Sequence, residues 1–237
     1  MKKIIILVFT FISFLTFGQA IKSKFKMVGD IQVYRIDKDN ILVFSSGMTI
    51  DADGAPHAYH SDENKGLDYL ANGGHSGNWW ALVTDNKKNN GNPLIQSASD
   101  PAPGFYISKT SLEDKTKRYE DPNRYVNSET IPYIALPSNL SNNLKLGDIV
   151  LVVNKANNKK YFAIYADWGP KNKLGEGSMY LAKQLGINSS PKNGGTNSSI
   201  FYILIEKSGN GKILSDSEIQ EIGKRKLTES EISELIK

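Results

Sequence analysis

Short apolar runs separated by turn residues dominate the chain, and most have the length of strands. Ile31, Val33, Tyr34 and Ile36 recur among polar residues from Asp30 to Ile36, and Ile41 to Phe44 follows as a partner strand through Asp37-Lys38-Asp39-Asn40. Gly47 to Gly54 predicts a third short strand ending in an Asp-x-Asp-Gly turn. Asn78 to Thr84 predicts a strand with paired tryptophans, one of Trp79 and Trp80 facing the core and the other free to stack on a ring. Pro93 to Gln96 and a Pro-rich entry from Asp100 to Ser108 predict two more. Thr110 to Ser128 is charged with little apolar periodicity, the pattern of a surface insertion. Pro132 and Pro137 bound Ile131 to Pro137, which predicts an edge or irregular strand. Leu146 to Val153, an Asn-rich turn and Tyr161 to Ala166 form a hairpin apolar enough to be central, and Ile200 to Glu206 is the last strand.

Helical spacing is rarer. Met179, Leu181, Ala182 and Leu185 fall close to one helical face between Ser178 and Leu185. Ser215-x-x-Glu218 and Thr228-x-x-Glu231 are capping boxes, each opening a short amphipathic helix. The prediction is mainly β with a few helices: one compact β-barrel domain over residues 21–206 and a peripheral helical appendage over 207–237, with no internal repeat.

The N-terminus changes the picture of compartment and charge. Lys2-Lys3, an apolar run from Ile4 to Phe17 and small residues at Gly18 and Ala20 have the form of a signal peptide over residues 1–20. The run is short for a membrane span and no second one follows, so the expectation is a secreted or periplasmic protein, free of the membrane after cleavage. With no cysteine in its 237 residues, the chain must be held by its core rather than by disulfides. Loss of Lys2 and Lys3 leaves 27 of the 29 basic residues against 25 acids, so the net charge falls from +4 to +2 and argues for no nucleic-acid partner. A monomer needing no cofactor is expected.

Candidate chemistry gathers between Tyr161 and Leu185. Asp167 follows an apolar strand, Glu176 precedes a helix, and Gly169, Pro170, Gly175 and Gly177 punctuate the loop between them. Two acids held across a short loop can serve general acid/base chemistry; equally, Glu176 could complement a helix dipole and Asp167 could satisfy loop amides. Asp51 and Asp53 of Asp51-Ala52-Asp53-Gly54 could form an Asx-turn or bind calcium, although the further ligands of an EF-hand are absent. His57, His60 and His75 fit no strong metal signature, and no metal is expected.

The stretch Asp167 … Gly175-Glu176-Gly177-Ser178 resembles the signature of the family 75 glycoside hydrolases, the chitosanases, in which a strand-end Asp and the Glu of a Gly-Glu-x-Ser turn are the catalytic pair. Ala166 stands where the fungal members carry Gly, and Ala52 where they carry Cys in Asp-x-Asp-Gly. Asp100-Pro101 … Tyr106-Ile107-Ser108-x-Thr110-Ser111 and Ile131 to Pro137 resemble family segments in the same order, so the likeness covers most of Gly47 to Glu206. The order of elements also resembles small endoglucanase-like barrels of the double-psi type. The resemblance implies an endo-acting, inverting hydrolase of β-1,4-linked glucosamine polymer with Asp167 and Glu176 as its catalytic pair. Glu176 is assigned as general acid and Asp167 as base, the exchanged roles being the alternative. Asp51, Asp53, Trp168, Tyr165, Ser178 and Lys171 are the expected substrate contacts. A cationic polymer needs a locally negative cleft, for which Asp51, Asp53, Asp62, Glu63 and Asp68 are available. The alternatives are a non-catalytic polysaccharide-binding barrel, which needs the tryptophans but no facing carboxylates, and an enzyme that cleaves peptidoglycan glycan.

Overall fold

The computed structural model describes residues 22–36 and 40–236; the signal-peptide reading and most of the Asp37–Asn40 turn lie outside them. Eight strands follow in chain order: β1 (Lys22–Val28), β2 (Ile31–Ile36), β3 (Ile41–Asp51), β4 (Tyr133–Leu136), β5 (Ile149–Asn154), β6 (Lys159–Trp168), β7 (Glu176–Ser178) and β8 (Thr196–Ile205). Six of them close into a barrel in the order β3–β7–β4–β6–β5–β8, with β8 returning to β3. The protein is thus mainly β, with four short helices.

The strand β3 makes closure possible by changing partners along its length. Its first half runs antiparallel to β8, from Ile41↔Ile205 to Ser46↔Ile200, and also carries β2. A register shift between Ser46 and Met48 follows, and Thr49 to Asp51 then pair parallel with β7. The sequence suggested two strands here because Ser45-Ser46-Gly47 looks like a break, whereas it is the point where one strand bends between partners.

Alternate residues sort into two buried clusters, as the period of a strand requires. Leu42, Phe44, Ile134, Val150, Val152, Tyr165 and Tyr202 fill the barrel lumen, with the Phe44 and Tyr202 rings stacked at 4.5 Å. Leu181, Ala182 and Leu185 join them from α2 (Met179–Gln184), after α1 (Leu70–Gly73) earlier in the chain. Val43, Tyr133, Leu151, Phe162, Ile164 and Ile203 point the other way, and α3 (Asp216–Lys226) and α4 (Glu229–Ile236) cover part of that outer face through Ile219, Ile232 and Leu235. Both capping boxes form: Ser215 with Glu218, and Thr228 with Glu231. The terminal helices therefore share the barrel's outer core rather than building their own.

Three expectations need correction. The strand β4 is central, flanked by β7 and β6, because Pro132 and Pro137 stand just outside it and remove no donor from its ladder. Residues 52–131 form an ordered layer whose strand-like pieces are single bridges such as Leu82↔Ser108, Thr84↔Pro93 and Ile95↔Tyr106. This layer has its own small core of Ala52, Ala55, Ala58, Tyr59, Ala81 and Leu82. Nor is Thr110–Ser128 a mere surface insertion: Leu112, Tyr125, Val126 and Ser128 are buried. Isolated apolar residues among charges leave no period to detect.

Candidate active site

Two glycines set the direction of Glu176. Gly175 adopts φ +90°, and a Cβ there would lie 2.4 Å from Ser46 Oγ and 2.5 Å from the Gly47 carbonyl oxygen, so only glycine lets β7 approach β3 this closely. Its carbonyl accepts the Thr49 N–H at 2.7 Å. Gly177 faces the lumen, since a Cβ there would be 3.2 Å from both Met48 Cε and Leu181 Cδ2. Glu176, its neighbour, therefore faces outward. It belongs to a strand rather than to a helix start: Ser178 is the N-cap of α2, two residues later.

Across the sheet, Thr49 pairs with Glu176, Glu176 with Ala135, and Ala135 with Asp167. Directly paired residues project to one face, so the two acids flank a single alanine methyl on the barrel's outer surface. Two strand spacings separate their backbones by roughly 10 Å. Asp167 reaches this face through a bulge. Ile134 pairs with Tyr165 but Ala135 pairs with Asp167, leaving Ala166 as an extra residue in β6. Were Ala166 paired with Ala135 in regular alternation instead of bulged, Asp167 would share the face of Tyr165 and point into the lumen.

The surroundings of the two carboxyls differ. Asp167 Oδ1 accepts the Ser111 N–H at 2.8 Å, the Ser111 hydroxyl at 2.5 Å and the Trp168 N–H at 2.8 Å. Burial raises the Asp167 carboxyl, while those donors and the Lys109 charge oppose the rise. Glu176 accepts no hydrogen bond among the described residues; burial raises it, Lys173 opposes this, and Asp167 and Asp68 add to it.

Oxygens of Asp51, Asp53 and Asp167 lie within 4.8 Å of one another, the one group of three potential metal ligands found among the described residues. Hard carboxylate oxygens in this arrangement suit a divalent cation or shared protons. Asp51 Oδ1 accepts the Asp53 N–H at 2.7 Å, the local turn expected from sequence, and the Tyr59 hydroxyl donates to Asp53 Oδ1 at 2.6 Å. Burial, then the Glu176 and Asp167 charges, push Asp51 well up; burial, then the Asp51 and Asp167 charges, do the same to Asp53. A raised folded value means the unfolded chain loses its proton first, so this group's stabilisation fades as pH climbs from the ordinary carboxylate range through the raised one. Asp51→Asn is therefore expected to raise the melting temperature more at about pH 8 than at about pH 4 in paired thermal unfolding. Equal shifts at both would contradict the crowding.

These groups line one cleft of about 650 Å³ between the barrel and the 52–131 layer. No family model matches this chain, and no curated protein does. The site's chemistry rests on the residues themselves.

Of the expected substrate contacts, Asp51, Asp53 and Trp168 line the cleft, and Trp168 is 61% exposed. Tyr165 does not; it is buried in the lumen, on the far side of the bulge. Ser178 does not either, because its buried hydroxyl donates to the Ile131 carbonyl and accepts the Leu181 N–H of the helix it caps. Lys171 is exposed away from the lining, where Lys173 stands instead. The histidines take no part in the carboxylate group: His57 faces Glu129 at 3.7 Å, His60 packs on Phe105 and His75 on Trp80. Sequence reasoning missed Ser111, Tyr59 and Asn72 as site residues and left Trp80 unassigned. The Ser111 hydroxyl acts by touching an acid 56 residues away, and Tyr59 and Asn72 by touching acids six and four residues back in segments without apolar alternation, so none carries a periodic signal.

Proposed function

We propose that the protein is an exported, endo-acting glycoside hydrolase that cleaves a β-1,4-linked glucosamine polymer with inversion. The observation that carries this reading is the row Glu176–Ala135–Asp167, which holds two unlike carboxyls on one face of one cleft. Inversion needs roughly 6.5–9.5 Å between the carboxyl groups to admit a water, whereas retention needs only about 5–5.5 Å. Two acids separated by a full intervening strand favour the first. A polysaccharide-binding barrel would need the tryptophans but not this pair.

Glu176, raised by burial and free of donors, is suited to hold a proton and give it to the glycosidic oxygen as the bond breaks. Asp167, with three donors on Oδ1, is suited to stay ionised and to take a proton from the water attacking the anomeric carbon through Oδ2. One bond to the leaving sugar breaks, one to water oxygen forms, and the proton lost by Glu176 is balanced by the one Asp167 gains. Asp51, Asp53, Asp68, Asp167 and Glu176 line the cleft against Lys173 as its one lysine, which supports a cationic polymer despite the chain's net positive charge. Asp62 and Glu63 are exposed and outside it. Export is supported by the leader pattern of residues 1–20.

The test is reducing-end release from chitosan, chitin and peptidoglycan, with the first product's anomer followed by proton NMR. Release from chitosan with the α-anomer first is expected. Release from none of the three would sink the reading, and the β-anomer first would replace inversion by retention.

The Ser111 hydroxyl gives a second check. Its hydrogen bond lowers the Asp167 carboxyl, so Ser111→Ala should raise it and move the acid limb of the kcat/KM–pH profile upward. Activity about tenfold down on that limb and little changed near neutrality is expected; a uniform loss would point to disorder instead.

A further inference from the structure

The cleft that holds Asp167 and Glu176 carries a second organised cluster. Asp68 is only 4% exposed yet lines the cleft. Its Oδ1 accepts the Tyr69 N–H at 2.8 Å and the Asn72 side-chain amide at 2.8 Å. Its Oδ2 meets no donor, and Asp68 forms no ion pair, among the described residues. The nearest candidate cation, Lys192, is committed elsewhere: its ammonium donates to the carbonyls of Glu63 at 2.5 Å and Gly66 at 2.7 Å. Asn72 also fixes the adjoining ring, because its carbonyl accepts the Trp80 indole N–H at 2.9 Å. The His75 ring packs edge-on against Trp80 at 6.0 Å, leaving the indole 47% exposed in the cleft.

We propose that Asp68 and Trp80, both held by Asn72, form a subsite that selects an aminosugar unit by its free ammonium group. The inference rests on the hydrolase reading for its substrate class. Trp80 offers a rigid apolar plane for the face of a sugar ring. Asp68 Oδ2 offers a carboxylate oxygen at its edge, where a protonated amine forms a charge-assisted hydrogen bond and an N-acetyl group cannot. A nearly buried carboxylate with a free oxygen and no ion pair among the described residues is suited to ligand recognition. Its desolvation, opposed in part by Asn72, Tyr69 and the Lys192 charge, is offset further when a positive group arrives at Oδ2. Burial raises the Asp68 carboxyl, and an ammonium at Oδ2 would oppose that rise. The subsite would thus set which units of a partly acetylated chain are accepted, separately from bond cleavage.

Calorimetric titration of the Glu176→Gln protein with glucosamine tetramer and with N-acetylglucosamine tetramer tests this without turnover. The glucosamine tetramer should bind at least tenfold tighter. Adding Asp68→Asn, which keeps an oxygen for Tyr69 and Asn72 to bond, should abolish that preference and leave the acetylated ligand unchanged. Adding Trp80→Ala should weaken both ligands about tenfold. Equal binding of the two tetramers, or a preference that survives Asp68→Asn, would overturn the subsite. Reducing-end release from chitosan by the wild type separates the two ideas. Selective binding with no release sinks the hydrolase and keeps the subsite; release with an Asp68-independent preference does the reverse.

Discussion

Glu176→Gln is expected to lower kcat on glucosamine polymer by about 10³-fold with KM nearly unchanged, a loss typical of removing a general acid. Gln is isosteric and neutral, as protonated Glu is, so ground-state binding should survive. What it lacks is a proton to transfer. No donor holds the Glu176 carboxyl, so the change breaks no hydrogen bond among the described residues, and removing a buried acid beside Asp167 should leave the barrel as stable or more so. A decisive control is an aryl glycoside whose leaving group departs without protonation. The variant should recover most of its activity there if Glu176 is the acid. Loss below tenfold on the polymer would assign the proton to another group.

Asp167→Asn should cost about 10²–10⁴ in kcat, and here the aryl glycoside should not restore activity, because the missing step is deprotonation of water. The amide oxygen can still accept from Ser111 and Trp168, so position is kept while basicity is lost. Circular dichroism and melting temperature would verify that. Near-wild-type activity would pass the role of base to Asp51 or Asp53, which lie within 4.8 Å of Asp167.

The elements legible in the sequence were those whose apolar residues are contiguous or periodic. The hairpin of β5 and β6, the strand β8, and the capped helices α3 and α4 all have this character. What escaped depends on contacts between distant segments. Ser111 sits in a charged stretch and matters only because it meets Asp167, 56 residues later. Trp80 is a different case: Asn72 and His75, which place it, are close in sequence but reached through an irregular segment with no period to read. The position of Tyr165 shows how a correct local rule fails. Two residues from Asp167, it should share that residue's face, yet it lies in the lumen because Ala166 breaks the count. Glu176 was expected at a helix start, but Gly175 first brings it into a three-residue strand against β3.

That uncounted residue also bears on how such a barrel gains or loses chemistry over generations. In β6 the bulge at Ala166 decides whether the Asp167 carboxyl meets the cleft or is trapped in the lumen, whatever the letters on either side. A lineage in which Ala166 took its own place in the ladder opposite Ala135 would keep its aspartate in any alignment and turn it into the lumen. The pairing register around Ala166, more than residue identity, is the trait to compare when barrels of this kind are sorted by the face their acids take.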